Sequence, residues 1–319
     1  LKKIIRHLLF IYNKIYFKTQ LVLFNKIIKS KNAWLIFDKS NVSGFGTNLL
    51  RTYFPIYNSK TGISSFSTAV TKKMETFIKC NDGHIFETDI LKEIPQLLDL
   101  SKDETNATLP YLDNYFFGVF DASILSAMMQ NFKPKQLIEI GSGISTRYIN
   151  FFKQKYNLKT NVICIDPFPR VDIKEVANSI FNMPLEEALE ENMFQLSKGD
   201  FLFMDGSHYV FQGNDTMAFF FKLLPSLPSG VVIHIHDIYL PYDYEENVSP
   251  QLWTEQYILA AMILNDLKDF KILYPAYYEA CNNQKIKNEL KNVDEILGNR
   301  NFQKRTSHDK GFSFWMKKK

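Results

Sequence analysis

Cysteine is scarce in this 319-residue chain, with Cys80, Cys164 and Cys281 the only three. Their odd number and wide spacing exclude a disulfide framework, and no pair has the spacing of a zinc site. Cys164 lies inside an apolar run and reads as a small buried hydrophobe. A reduced, cytoplasmic setting follows. Long unbroken apolar runs are missing as well. The apolar N-terminal stretch is interrupted by Lys2, Lys3, Arg6, Lys14 and Lys18, too often for a membrane span of ~20 apolar residues. It also lacks the small-residue cleavage site of a signal peptide. Internal repeats and low-complexity segments are absent. So is an initiator methionine, and the sequence therefore reads as a fragment or a processed chain.

Acid is absent from residues 1–35, which hold eight of the 38 basic residues and none of the 34 acidic ones. The rest of the chain thus carries 30 basic against 34 acidic groups, a net of −4. A mildly acidic body argues against a nucleic-acid partner gripped through its phosphates. Residues 1–35 read as a basic amphipathic helix, for which two roles stay open. It lies on an anionic membrane surface, at the inner face of the membrane, or it packs on the domain or on a second copy in a homo-oligomer. Residues 36–110 are turn-rich and mixed, and are expected to form a mainly helical accessory region covering a pocket. Residues 111–319 form the main domain, and the 45% hydrophobic content is ample for its core.

Residues 137–146, LIEIGSGIST, carry most of the functional signal. An apolar strand breaks into Gly141-Ser142-Gly143 and runs on into a helical pattern, which is how open α/β sheets build nucleotide pockets. Gly141 permits the tight turn, and Gly143 lets a ligand approach the backbone without meeting a Cβ. Glu139 lies two residues before the first glycine. A pyrophosphate gains nothing from a nearby carboxylate, whereas the ammonium and sulfonium of S-adenosylmethionine (SAM) do. Thr146 stands where a dinucleotide motif has its third glycine. Both details favour SAM over NAD, and assign Glu139, Gly141, Ser142 and Gly143 to the cofactor.

Strands and helices then alternate as in βαβ units. VICID (162–166) ends in Asp166, placed to accept hydrogen bonds from both ribose hydroxyls of an adenosine. Ser179 to Met183 is the best third strand, followed by Pro184 and a helical LEEALEEN. Phe201 to Met204 ends in Asp205-Gly206-Ser207-His208, where Asp205 is also assigned to the cofactor, and Asn214 or Asp215 caps a helix that stops at Pro225. Val231 to Ile235 ends in His236-Asp237. FKILYP (270–275) and GFSFWMK (311–317) read as two late strands, with a helix and an excursion between them. Upstream, Asp121 is expected to cap a helix from Ala122 to Gln130. Polar groups thus gather at the carboxyl ends of four strands, the ligand-binding edge of an open parallel sheet.

The stretches IEIGSGIST, CIDPFPR, MPLEEAL, GDFLFMDGSHYVFQGNDTMAFFFKLLP, VVIHIHDIYLPYDY and WTEQYILAAMIL resemble the class I SAM-dependent methyltransferases. They are most similar to a bacterial subgroup with DGSH and HIHD motifs, often found beside polysaccharide genes. The resemblance covers about two thirds of the chain. It implies a Rossmann-like class I methyltransferase fold, a seven-stranded mostly parallel sheet with helices on both faces, with the late strands as an antiparallel pair at its edge. It also implies SAM as the methyl donor.

The resemblance extends to chemistry. Related sugar O-methyltransferases hold a metal on carboxylates at the ends of the strands that here carry Asp205 and Asp237, so Asp205, His236 and Asp237 are the implied ligands of Mg²⁺ or another divalent ion. Histidine departs from magnesium's preference for oxygen. The metal-free version makes His208 or His236 the general base, oriented by Asp205 or Asp237. His234 faces the same side as His236 and reads as structural. His7, His84 and His308 carry no motif. Tyr239, Tyr242, Asp243 and Tyr244 form a loop where a saccharide or other small-molecule acceptor is expected to dock. Asn114, Tyr115 and Phe116 are placed either over the cofactor or in a core aromatic cluster. The expected activity is O-methylation of a small-molecule hydroxyl. Two alternatives remain, an NAD(P)-linked oxidoreductase and a non-catalytic scaffold attached to a membrane by the N-terminal helix.

Overall fold

The computed structural model describes residues 64–80, 86–104, 106–114, 116–193, 195–245, 248, 251–299 and 310–319. The chain divides into two compact units, Leu1–Asn58 and Ser59–Lys319, and every described residue lies in the second. The expected helix over 1–35, Tyr115, His7, His84 and His308 fall outside the described residues.

Among the described residues the sheet has seven strands: β1 (Gln136–Ile140), β2 (Asn161–Ile165), β3 (Ser179–Phe181), β4 (Phe201–Met204), β5 (Val232–Ile235), β6 (Phe270–Pro275) and β7 (Phe314–Lys318), in the order β3-β2-β1-β4-β5-β7-β6. The first five are mutually parallel. β7 runs antiparallel to both β5 and β6, between them. This is the Rossmann-like class I methyltransferase fold. Strand order reverses between β1 and β4, the switch point where such sheets open a crevice.

The strands are apolar because both faces are covered. One face presents Leu137, Val162, Cys164, Phe201, Phe203 and Trp315, packed with helices α2 (Glu87–Leu98), α3 (Val119–Phe132) and α4 (Ile144–Lys155). The other presents Ile138, Ile140, Ile163, Leu202, Met204, Ile233 and Ile235. It packs with α1 (Thr68–Cys80), α5 (Leu185–Glu190), α6 (Asp215–Ala218, continued as a π-helical turn Phe219–Leu223) and α7 (Glu255–Leu264). Each fully buried aliphatic side chain contributes roughly 1.5–3 kcal/mol.

Several local expectations are corrected. The helix before β1 starts earlier, with Gly118 at its N-cap. Asp121 lies in its first turn, where its carboxylate is drawn inward by the Phe312 and Ser313 amides at 2.9 Å. The helix after β4 is capped, as expected, by Asn214, whose Oδ1 accepts from the Met217 amide at 3.1 Å. It does not stop at Pro225, because the π-helical turn precedes a last turn, Leu224–Ser226, that needs no donor from proline. The last strand is Phe314–Lys318, later than expected, and with β6 it forms the expected antiparallel pair at the sheet edge. Among the described residues between β6 and β7 stand two helices, α8 (Ala276–Asn282) and α9 (Gln284–Asn299).

Candidate active site

The hydrogen-bond ladder continues one residue past each strand, which fixes the residues that follow. The Gly141 amide donates to Ile165 O (3.0 Å), Asp205 to Ile140 O (2.8 Å), Asp166 to Phe181 O (3.1 Å) and His236 to Met204 O (2.9 Å). Gly141 has φ +76°, and a Cβ there would lie 1.8 Å from Asp205 O. The turn therefore needs glycine for its backbone angle and for its approach to β4. A Cβ on Gly143 would meet nothing within 4 Å. That open space leaves room for a ligand such as SAM beside the turn.

Asp166 closes the turn from β2. Its Oδ2 accepts from the Ser142 amide (2.8 Å) and hydroxyl (3.1 Å), and its Oδ1 from the Phe168 amide (2.7 Å). A carboxylate offers about four lone-pair positions, so one remains for a ribose hydroxyl. A second hydroxyl would have to displace the Ser142 Oγ. Phe168, two residues on, is 84% exposed. The Arg170 guanidinium lies 5.4 Å from the half-exposed Phe116 ring. Asn114 is buried and spent on its own turn, donating to Tyr111 O and accepting from the Phe117 amide.

Glu139 is not at the pocket surface. It is completely buried, with Oε1 on the Ser145 hydroxyl (2.6 Å) and Oε2 on the Thr146 hydroxyl (2.5 Å). Thr146 Oγ1 in turn accepts from the Gly143 amide at 3.0 Å. Burial raises the Glu139 carboxyl to about 7, against the pull of those hydroxyls. Glu139, assigned to the cofactor for its charge, also braces the glycine turn from beneath, both oxygens being bonded to hydroxyls at the start of α4.

The second half of the site is built around His208. Asp215 holds the loop before it, accepting from the Ser207 amide (2.7 Å) and hydroxyl (2.5 Å). His208 itself is left-handed (φ 64°), as is Asp237 (φ 58°). Non-glycine residues in that region are uncommon and gather at functional sites. His208 Nε2 lies 3.4 Å from Asp205 Oδ1 and 3.3 Å from Asp237 Oδ2. One ligand atom from each of the three residues falls within a 4.8 Å group, a geometry able to hold a cation. The other ring nitrogen, Nδ1, is bonded to Glu255 Oε1. Burial alone would push the imidazole down, but Glu255, then Asp237 and Asp205, outweigh it and raise it to about 9. Burial raises the Asp237 carboxyl, opposed by His236 and His208.

His236 sits deeper, 3% exposed. Its Nδ1 lies 3.8 Å from Asp205 Oδ1 and 3.7 Å from Asp237 Oδ1, and its Nε2 is 3.6 Å from Asp121 Oδ2. Despite burial, Asp237, Asp205 and Asp121 raise it to about 10. Asp121 is held below the usual carboxylate range, since His236 and the 312–313 amides outweigh its burial. Of the expected metal set, Asp205 and Asp237 come together around His208 more closely than around His236. His234 stacks on Phe203 (3.6 Å between centroids) and bonds to Ser313 Oγ (2.9 Å), and burial pushes it well below its ordinary value.

The loop after β5 is less open than expected. Tyr239 is buried against Phe312 and Tyr277. Asp243 accepts from the Ser65 amide and from the Tyr257 hydroxyl. Sequence reasoning missed Glu255 and Asp121 as partners of the histidines. Only the acid in WTEQY, at the start of a helical run, could have pointed to the first.

Residues 138–238, from within β1 to just past β5, match a family model described as a methyltransferase domain. The matched stretch contains Glu139, Gly141, Ser142, Gly143, Asp166, Asp205, His208, His236 and Asp237, and over it the chain is similar to a methyltransferase domain. No curated protein matches the chain. Among solved structures, cmcI with SAH is 13% identical, covering 62% of this chain and 76% of that one, with a TM-score of 0.35. A second cmcI structure, with Mg-SAM, is 14% identical over 62% and 70%, TM-score 0.34. The Haemonchus contortus phosphoethanolamine N-methyltransferase 2, in complex with phosphomonomethylethanolamine and S-adenosylhomocysteine, is 13% identical over 60% and 50%, TM-score 0.32. Likenesses this distant say nothing of the substrate of this chain.

Proposed function

We propose that the domain transfers the methyl group of SAM to a hydroxyl of a small-molecule acceptor. The observation that carries this reading is the convergence of Asp205, His208 and Asp237 at the sheet edge that also holds the open space at Gly143. A saccharide is the acceptor class favoured by the resemblance of the DGSH and HIHD stretches.

In such a transfer the acceptor oxygen forms a bond to the methyl carbon as the carbon–sulfur bond breaks. The electron pair goes to sulfur, and the hydroxyl proton must leave. Much of the rate gain is positional. Asp205 and Asp237, on either side of His208 Nε2, are the groups able to take that proton. The same donors, two carboxylates and an imidazole, suit a divalent ion with some tolerance for nitrogen. Bound there, such an ion would make the acceptor hydroxyl more acidic.

Calorimetric titration with S-adenosylhomocysteine and, separately, with NADH tests the reading. Micromolar binding of the first, about −8 kcal/mol, with none of the second, is expected. Binding of NADH alone would favour an oxidoreductase, and binding of neither a scaffold.

A further inference from the structure

We propose that Glu255 is the positioning residue of the site, fixing the imidazole of His208 so that Nε2 is its working nitrogen. The inference rests on the methyl-transfer reading only for its consequence in turnover. Glu255 is the first residue of α7 and is 1% exposed. Its Oε1 bonds to His208 Nδ1, while its Oε2 has no hydrogen-bond partner. A carboxylate accepts only, so Nδ1 must carry a proton. The other nitrogen is then the one turned to Asp205 and Asp237. A second-sphere carboxylate acts this way on a histidine that ligates a metal and on one that moves a proton.

A merely structural role is the rival, and the surroundings argue against it. The amides of Thr254 and Glu255 already donate to His208 O at 2.8 and 3.2 Å, and the Val210 amide donates to Thr254 Oγ1 at 2.8 Å. Trp253 packs on the imidazole at 4.7 Å. Backbone and indole thus clasp the 208–210 segment to the start of α7 without the Glu255 side chain. A buried carboxylate with one oxygen unsatisfied is a costly way to hold two elements together, and an apolar side chain would hold them better. What an apolar side chain cannot do is accept the Nδ1 proton and so hold the ring with Nε2 toward Asp205 and Asp237.

Proton NMR of protein labelled with ring-¹⁵N histidine tests this. Wild type should show a nitrogen-bound proton far downfield of the amides, coupled to Nδ1 and absent in His208→Gln. Glu255→Leu should lose it. Glu255→Gln, which keeps an accepting oxygen without the charge, should keep a bonded proton shifted upfield. S-adenosylhomocysteine affinity should stay within about threefold in both variants, and kcat should fall ~10- to 100-fold in Glu255→Leu and less in Glu255→Gln, with KM for SAM unchanged. A signal that persists in Glu255→Leu, or that is identical in Glu255→Gln and wild type, overturns the proposal. The Gln variant decides the matter if the Leu variant does not fold. Wild-type protein that fails to bind S-adenosylhomocysteine would sink the methyl-transfer reading and leave the NMR result to stand or fall by itself.

Discussion

A methyl group on Gly141 would lie 1.8 Å from the carbonyl oxygen of Asp205, whereas one on Gly143 would touch nothing. Two glycines in one turn therefore do different things. The first makes the fold possible and the second leaves room beside it. Gly141→Ala should destabilise the protein by well over ~1 kcal/mol, since it meets both a forbidden φ and a backbone clash. Gly143→Ala should cost less stability and Gly143→Val should abolish S-adenosylhomocysteine binding. Thermal unfolding and calorimetry on the variants check the contrast. Full affinity in a folded Gly143→Val protein would remove the cofactor from this turn.

Asp237 should matter for turnover and not for cofactor affinity. It flanks His208 Nε2 and lies beside His236, and no described bond ties it to the glycine turn. Asp237→Asn should leave S-adenosylhomocysteine affinity within a few-fold while lowering turnover by ~10²-fold or more, as when a base or metal template is lost. Chelation separates the two mechanisms. Loss of activity in EDTA, restored by Mg²⁺ or Mn²⁺, assigns a metal to Asp205, His208 and Asp237. Activity indifferent to EDTA assigns proton transfer to the acids. Full activity in both Asp205→Asn and Asp237→Asn would leave positioning as the whole of catalysis.

The strands that build this edge could be read from sequence because each is an apolar run buried on both faces. β3 was harder, being three residues long and only half-buried. The insertion of β7 between β5 and β6 depends on pairing between distant segments that no local pattern encodes. The same holds within the site. Asp205, His208, His236 and Asp237 announce themselves by ending strands. Glu255 lies 47 residues beyond His208, and Asp121 looks like an ordinary first-turn acid until the 312–313 amides fold over it. Glu139 was legible from its place in the motif, but its bracing of the turn from the buried face, beside Cys164, was not.

The N-terminal segment remains a matter of charge alone. Eight basic residues and no acid among the first 35 give an electrostatic attraction to anionic lipid that salt should screen. Co-sedimentation of the full chain with phosphatidylserine vesicles should succeed at low salt, weaken as salt rises, and fail with phosphatidylcholine alone. Replacing Lys14 and Lys18 by Glu should weaken it further. No binding to anionic vesicles at low salt would make the segment a packing or dimerisation element.

Glu139 makes the stability of the fold depend on pH in an unusual direction. Burial raises its carboxyl from 4.5 to about 7. Between those values the native state keeps a proton that the unfolded chain has released, so stability falls as pH rises through the window. Below about 4.5 both states are protonated and the penalty is absent. Above about 7 it is complete, on the order of 3 kcal/mol. Glu139→Gln cannot ionise and escapes it. Urea unfolding of wild type and Glu139→Gln across this range should therefore give curves that separate, the variant gaining on wild type as pH rises. Any constant offset from altered bonding to Ser145 and Thr146 does not affect that slope. Parallel curves would show that the carboxylate is ionised at no cost, and that the hydroxyls of Ser145 and Thr146 fully offset its burial.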